Sequence, residues 1–493
     1  MLTERSIYKI QSMNNVTDLT RTDVIPFSEY VAQCRLFIVN NQTISGMTGQ
    51  IDDPETRHKR LVSLIETFVN KHEVPVEGYL TESGLIDKQR LLDNVIDYVT
   101  GLGILKKAFE DPNIDEIQIN DCKTIFVVDR GVTKYLCDDK GQPLQFYENS
   151  EIHTLLIRLI DDGTGQMPQF TDGIPILNTK TAKEQYRVSA VHYSANARDS
   201  DLGNQPITTV VIRKFRKVKL TMDDLVKTDT LTPKMARFLQ LLGKADITMF
   251  CVGKTGSGKT TLLNIIGGTI PKTKRILLVQ NPTEISFFGR DNYGRNERNA
   301  VHWEVHDVAS KEKDAIYTPT MENLMSNTLR FTPEVTIIGE ARTKGEFEQI
   351  KRSIQMGQPV MGTFHAADSQ EAIGRMATEV GGDFFEAKTL FSNSVDIIVS
   401  QFRFIDGTRR VLEISEIEGM NPDGTIKVNT LFEFVQTGRT YQNPRNHLPH
   451  AVGYFRQVNP ISENLQKKFY RSSISKEEIQ EFIDVDQTPG AEV

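Results

Sequence analysis

Cysteine is scarce in this chain: four in 493 residues, Cys34, Cys122, Cys137 and Cys251, with no two at C-x-x-C spacing. That scarcity excludes a disulfide scaffold and a thiolate zinc knuckle, and it fits reduced thiols in a reducing compartment. Long apolar runs are missing as well. The best candidate, Ala245 to Val252, is eight residues long and contains Asp246, whereas a membrane-spanning helix needs about 18 to 20 apolar residues. The opening Met-Leu-Thr-Glu-Arg-Ser-Ile-Tyr-Lys carries charges where a secretory signal needs an apolar segment, so export by that route is not expected. Positive charge is not in excess either. Lys and Arg number 58 against 65 Asp and Glu, a net charge of −7, so no chain-wide field exists to hold DNA or an anionic membrane, and any such contact must be a local patch.

What is present suffices for a folded protein. Apolar residues make up 38%, charged residues 25% and aromatics 8%, enough to offset backbone ordering over most of the chain. At about 150 residues per domain, the length suggests about three domains. Residues 1–55 are polar and broken by Asn14-Asn15, Asn40-Asn41-Gln42 and Asp52-Asp53-Pro54, which predicts a weakly structured arm with one short apolar element near Val31 to Val39. Apolar residues at helical spacing, Leu61, Leu64, Ile65 and Phe68, then Leu91, Leu92, Val95, Ile96 and Val99, predict a helical bundle over 56–107. Strand-like runs at Glu116 to Asn120 and Thr124 to Val128, with an apolar helix around Ile152 to Ile160, predict an α+β domain over 108–212. A basic linker is expected over 213–221.

Over 222–475 the order becomes strand, loop, helix, with buried-strand runs at Ile247 to Val252, Ile276 to Val279, Val335 to Ile338 and Val360 to Phe364. That alternation predicts an α/β domain with a parallel-rich sheet. Asp406-Gly407 and Asp423-Gly424 mark hairpins appended to it, and the acidic segment 476–493 is expected to be a flexible tail.

The strongest chemical signal is Gly253-Lys254-Thr255-Gly256-Ser257-Gly258-Lys259-Thr260, a full G-x-x-x-x-G-K-[ST] phosphate loop. A predicted buried strand precedes it and an apolar helix beginning at Thr261 follows, so backbone N–H groups and a helix N-terminus converge on phosphate oxygens. Lys259 is the expected charge on the β and γ oxygens, and the Thr260 hydroxyl is the expected Mg²⁺ ligand of a bound ATP. No N-K-x-D segment follows the loop to read guanine; Asn70-Lys71-His72-Glu73 lies upstream and lacks the Asp.

A phosphate loop alone does not make a hydrolase, because the γ-phosphate also needs an ordered water and charge neutralisation. Parallel topology directs the search to the carboxyl ends of neighbouring strands. There stand Glu284 after the Ile276 run, Glu340 after the Val335 run and His365 after the Val360 run. Each also has a structural alternative: Glu284 as a helix-initiating acid, Glu340 as a solvated loop residue, His365 as a satisfied core histidine. Glu340 is a candidate for the metal or for the water, and four strand ends are expected to bring Lys259 with Thr260, Glu284, Glu340 and His365 to one edge.

In these segments the sequence resembles the type II/type IV secretion ATPase superfamily, whose marks are a phosphate loop, an Asp box (E-D-P/A-x-E), a G-E-x-R segment and a G-T-x-H segment. Here they stand as Gly253 to Thr260, Gln280 to Glu284, Gly339 to Arg342 and Gly362 to His365. The likeness is greatest to the CpaF branch, the Flp/Tad pilus motors, and to conjugation-type secretion ATPases. It extends from about residue 90 to 475 through Asp111 to Ile117, Ile212 to Phe215 and Asp406 to Arg410. The resemblance implies a RecA-like P-loop ATPase domain behind a PAS-like N-terminal domain. It further implies a homohexameric ring and a cytoplasmic place at the inner membrane, held by platform or secretion-channel proteins. It makes Arg213 and Arg187 candidates for arginine fingers. A solvated linker charge is the alternative for Arg213, and without an aromatic ladder no direct nucleic-acid contact is expected.

Two departures stand out. Gln280-Asn281 keep the shape of the Asp box and lose both charges, so water activation must rest on Glu284 or Glu340, or turnover is slow; a nucleotide-responsive structural subunit is then the competing reading. The glycine and histidine that precede the His box in many relatives are Gly357-Gln358 here. His302-Trp303-Glu304-Val305-His306 alternates with apolar residues and reads as a half-exposed strand rather than a metal site.

Overall fold

The computed structural model describes residues 24–45, 54–81, 84–146, 149–160, 170–181, 186–196, 206–214, 220–281, 283–304, 321–485 and 490–493. The chain divides into two compact units, 1–215 and 216–493.

The first unit opens with three helices, α1 (Phe27–Ser45), α2 (Pro54–Lys71) and α3 (Lys88–Thr100). They share a core built on Tyr30, Cys34, Phe68 and Val95. The Tyr30 ring lies 5.2 Å from that of Phe68 and its hydroxyl donates to His72 O at 3.0 Å. The expectation of a weakly structured arm through residue 55 is therefore corrected over Phe27–Ser45, a helix of 19 residues packed into the bundle. The physical reason is spacing: Tyr30, Val31, Cys34 and Ile38 recur at helical intervals and are buried. Asn41, taken as part of a break, satisfies its own amide by donating to Phe37 O at 2.7 Å. The remainder of that arm, 1–23 and 46–53, lies outside the described residues.

After the short α4 (Lys106–Glu110) come β1 (Ile114–Ile119), β2 (Ile125–Asp129), β3 (Val132–Tyr135), α5 (Asn149–Ile160), β4 (Ile176–Lys180), β5 (Arg187–Val191) and β6 (Thr209–Arg213). The six strands form one antiparallel sheet in the order β3-β2-β1-β6-β5-β4, and α5 shares a core with it through Leu155 and Leu156 against Ile117, Val188 and Ile212. The expected linker begins later than residue 213. Arg213 ends β6, and Lys214 Nζ donates to the carbonyls of Ala108, Phe109 and Asp111 at 2.7–2.8 Å, closing the C-terminus of α4. Residues 215–219 lie outside the described residues.

The second unit contains α6 (Met222–Lys227), α7 (Pro233–Lys244), β7 (Met249–Val252), α8 (Lys259–Gly267), β8 (Ile276–Gln280), β9 (Ala300–Glu304), α9 (Met321–Thr328), β10 (Val335–Ile338), α10 (Lys344–Gln355) and β11 (Val360–Phe364). It continues with α11 (Ser369–Val380), α12 (Phe384–Ser394), β12 (Ile397–Arg403), β13 (Arg409–Met420), β14 (Ile426–Gln442), β15 (Pro449–Gln457), α13 (Glu463–Arg471) and α14 (Lys476–Ile483). Nine strands form one sheet in the order β15-β14-β13-β12-β7-β11-β10-β8-β9. From β12 to β9 every neighbouring pair is parallel, and β13 to β15 are antiparallel hairpin strands. This is the parallel-rich α/β sheet that the alternation predicts, consistent with the RecA-like domain that the resemblance implies. All four β7 residues are buried because helices cover both faces: Met249 and Cys251 join the core that includes α7, α8, α13 and α14, while Phe250 and Val252 join that of α10, α11 and α12.

Two segments differ from the sequence reading. Strand β12, read only as half of an appended hairpin, is a full member of the parallel sheet and the direct neighbour of β7. Residues 476–493, read as a flexible tail, begin with α14, whose Ile479 and Phe482 are fully buried. The acidic side chains that suggested a tail occupy its exposed face, and Ser475 and Glu478 close its N-terminus in a capping box. Val493 pairs with Gly453 through two backbone hydrogen bonds of 2.8 and 3.2 Å; residues 486–489 lie outside the described residues. Phe482→Ala should therefore lower unfolding stability by about 3–5 kcal/mol, read from denaturant titration. An unchanged midpoint would mean that the segment is dispensable.

Candidate nucleotide site

The phosphate loop spans the corner between β7 and α8, with Lys259 and Thr260 in the first turn of the helix. Its glycines are required by space and by backbone angle. Gly253 and Gly258 have φ of +147° and +100°, and a Cβ at Gly253 would lie 2.1 Å from Gln401 O. Lys259 is 6% exposed and its Nζ donates to Gly253 O at 2.9 Å and Lys254 O at 3.1 Å. A buried ammonium held by the loop's own carbonyls is a charge arranged for an anion at the same loop. Ser257 Oγ is buried with no hydrogen-bond partner among the described residues, a second polar atom of this loop suited to a polar ligand. The residues thus fit a nucleotide's phosphates, and the hard oxygens of Thr260 and Glu340 fit Mg²⁺ completed by water. Beneath the loop, burial pushes the Cys251 thiol up to about 12, against the opposing charge of Lys259, so it stays neutral.

Strand register explains how His365 and Glu340 reach this loop. Phe364 pairs with Val252 and Ile338 with Gly362, so the residues that follow these strands leave the sheet side by side. His365 Nδ1 lies 3.2 Å from Gly253 O and its Nε2 lies 2.9 Å from Glu340 Oε1. Both ring nitrogens therefore face acceptors, and a singly protonated ring donates to only one at a time. Glu340 Oε2 accepts from Arg342 Nε at 2.9 Å and also from its Nη2. Burial works to raise the Glu340 carboxyl, but the Arg342 hydrogen bond and the charges of Arg342, His365 and Lys259 outweigh it and hold the group below the ordinary carboxylate range. Such a carboxylate is a weak base and a firm hydrogen-bond acceptor, suited to orienting a water or a hydrated metal.

Glu284 stands apart from that network. Among the described residues its carboxylate has no hydrogen bond or ion pair, and its backbone N–H donates to Gln280 Oε1 at 3.0 Å. Gln280 explains the departure from the Asp box. It is 1% exposed; its Oε1 also accepts from Ile285 N at 2.9 Å, and its Nε2 donates to Ile285 O at 3.0 Å and to His302 Nε2 at 2.7 Å. An amide supplies both the donor and the acceptor that this turn needs, whereas a carboxylate supplies only the acceptor. His302, once weighed as a metal ligand, is the acceptor of that amide; Val305 and His306 lie outside the described residues. Among the described residues no cluster of three or more His, Cys, Asp or Glu could hold a metal.

Arg187 and Arg213 belong to the first unit and share a rung. Arg213 lies directly opposite Arg187 on one side and Glu116 on the other, and Arg187 lies opposite Lys180. Like charges on one rung cost stability, by about 0.2–1 kcal/mol per pair, and opposite charges such as Glu116 and Arg213 offset that cost.

Three residues of the site were not singled out from the sequence. Arg409 Nε donates to Gly256 O at 3.0 Å. A Cβ at Gly256 would meet Arg403 Nη1 at 3.1 Å, and one at Gly258 would meet Gln401 Nε2 at 3.1 Å and Arg409 Cδ at 3.2 Å. The available signal was the Asp-Gly turn with an arginine three residues before it and two after, which a hairpin places opposite one another.

Two outcomes follow from this geometry. Gln280→Glu leaves Ile285 O without its buried donor and should destabilise the second unit by about 1–3 kcal/mol, read from thermal or denaturant unfolding. Because the Glu340 carboxyl is lowered in the folded state, its stabilising contribution is present above about pH 4.3 and is lost as pH falls through its folded value. The stability gap between wild type and Glu340→Gln should thus be widest near neutrality and shrink below about pH 4.3.

The sequence profile of the Type II/IV secretion system protein family matches residues 172–427. An uncharacterised protein of Methanocaldococcus jannaschii is 25% identical over 327 residues, 65% of this chain and 52% of that protein. The type IV secretion system protein VirB11 of Bartonella quintana is 29% identical over 185 residues, 36% of this chain and 48% of that one. The chain thus spans about half the length of these two curated relatives. Among solved structures, the ATPase DotB of Legionella pneumophila aligns with a TM-score of 0.43 and 16% identity over 77% of this chain and 87% of that chain. Since the family profile covers more than half of the 493 residues, from β4's approach to the start of β14, the chain belongs to the Type II/IV secretion system protein family.

Proposed function

We propose that this chain is an Mg²⁺-dependent ATPase subunit that drives secretion, pilus assembly or conjugative transfer. The observation that carries the reading is that buried Lys259 and His365 both meet the Gly253 carbonyl of the phosphate loop, while Glu340 joins them through His365. In this reading the loop amides and Lys259 hold the β and γ oxygens, and the Thr260 hydroxyl and Glu340 hold the hydrated metal. When bound, Mg²⁺ supplies neutralisation of charge on the transferring phosphoryl group. Glu340 orients the attacking water, His365 links Glu340 to Gly253, and Glu284 is a second carboxylate for the water on a loop tethered by Gln280.

Arg213 and Arg187 act in this reading as arginine fingers, from the same chain or from a neighbour. A homohexameric ring would set such edges facing one another, and the CpaF-like segments favour a pilus or conjugation-type cargo machinery. Partners are then inner-membrane platform or secretion-channel proteins, with the chain peripheral at the cytoplasmic face. No helix among the described residues is long and apolar enough to cross a membrane.

The buried structural role of Gln280 favours one second reading, a nucleotide-responsive subunit with weak hydrolysis, since that position cannot supply a carboxylate. Phosphate release separates the two: a motor should turn over at about 1–100 per second, and a structural subunit far below that. Lys259→Ala and Glu340→Gln should each cut turnover by about 100-fold or more; unchanged turnover in either would overturn the motor reading. Arg213→Ala should lower turnover while leaving ATP affinity nearly intact. Added DNA should leave the rate unaltered, and stimulation would instead point to a DNA translocase.

A further inference from the structure

The hairpin joining β12 to β13 carries two arginines to the phosphate loop, and a buried polar network holds that hairpin in place. Asp406 at its turn is 3% exposed and accepts from Thr408 Oγ1 at 2.7 Å, Asn443 Nδ2 at 2.8 Å and His450 Nδ1 at 2.6 Å. Arg410 is 2% exposed and its Nη2 lies 3.3 Å from His450 Nε2. A guanidinium has no lone pair to offer, so His450 Nε2 accepts from Arg410 while its Nδ1–H donates to Asp406. Burial works to raise the Asp406 carboxyl, but its hydrogen bonds from Thr408, Asn443 and His450 prevail and hold it below the ordinary range, so the acceptor stays charged.

Successive residues of a strand face opposite sides. Arg410 enters the buried network, so Arg409 faces the other way, where its Nε donates to Gly256 O and its stem packs against Gly258. Arg403 lies opposite Arg409 on the ladder, with Nη1 against Gly256. A like-charged cross-strand pair costs stability, and here it is pressed against a loop built to receive an anion. Within the loop, Ser257 N donates to Lys254 O at 3.2 Å, while the Gly256 carbonyl accepts from Arg409.

We propose that Arg409 is a positioning residue of the phosphate loop: held by the Asp406–His450–Arg410 network, it grips Gly256 O and keeps the loop in the shape that receives a nucleotide's phosphates. This rests on the nucleotide-site reading above. It also makes the β14–β15 hairpin, whose turn supplies Asn443 and whose β15 supplies His450, a lever on nucleotide affinity.

The test is binding of a fluorescent ATP analogue with Mg²⁺ to the full chain, with thermal unfolding and saturated turnover measured on the same samples. Arg409→Ala should bind about tenfold more weakly, the scale of one hydrogen bond from a charged donor. Its saturated turnover should stay within about twofold of wild type, because the loss falls on binding and not on the chemical step. Arg409→Lys should remain impaired, since an ammonium keeps the charge but not the Nε–H aimed at Gly256 O. His450→Gln, remote from the loop, should weaken binding in the same direction by about threefold, a part of the Arg409→Ala effect. Affinity equal to wild type in Arg409→Ala, full recovery in Arg409→Lys, or a His450→Gln chain that melts early yet binds normally would overturn the inference. Wild type that fails to bind the analogue would overturn the nucleotide-site reading itself, and this inference with it; the other outcomes strike the inference alone.

Discussion

Parallel pairing of β10, β11, β7 and β12 is the constraint on which the site depends. Strands buried on both faces have no solvent side to exchange for a core side, so helix packing above and below fixes their register. Their carboxyl ends then lie along one edge, and whatever the following residues carry is presented there together. The loops do not find each other; the sheet delivers them. Gly339 shows how tight that delivery is, since a Cβ there would lie 2.6 Å from Gln280 Cβ on the neighbouring strand.

The electrostatics of that edge run against the chain as a whole. A net charge of −7 coexists with Lys259, Arg342, Arg403 and Arg409 gathered about one phosphate loop. Glu340 is the carboxylate among them, and two opposing tendencies decide its state. Burial favours the neutral acid, while a hydrogen bond from Arg342 and three nearby cationic or polarised groups favour the anion, and the second set wins. Lys259 meets the same problem by donating to main-chain carbonyls, which carry partial charge without adding another ion. Local neighbours, the loop carbonyls and Arg342, thus hold Lys259 and Glu340, and the sheet edge adds His365 beside Glu340 and Arg409 beside the loop.

Much of this was legible in the residues. The phosphate loop, the buried strands around it, both Asp-Gly hairpins and the positions of Glu340 and His365 follow from local pattern, because glycine conformations and strand periodicity are local properties. Three features were not. Helix α1 was hidden by the amides of Asn40 to Gln42, which suggest a break until Asn41 is seen to bond its own helix. Helix α14 was hidden by acidic side chains that occupy only its solvent face. Gln280 looked like a lost catalytic acid, whereas its amide ties Glu284, Ile285 and His302 together, a role that requires knowing which backbone groups turn back toward it.

The sequence by itself determined that a phosphate loop sits at a strand-to-helix corner, because the spacing of Gly253, Gly256, Gly258 and Lys259 specifies backbone shape and charge within eight residues. Only the tertiary structure decided which residues stand around that corner. Arg409 lies 153 residues from Gly256 and His365 lies 112 from Gly253. They meet because β12 and β11 were placed on either side of β7, a strand order set by how two helical layers cover one sheet and written in no local stretch of the chain.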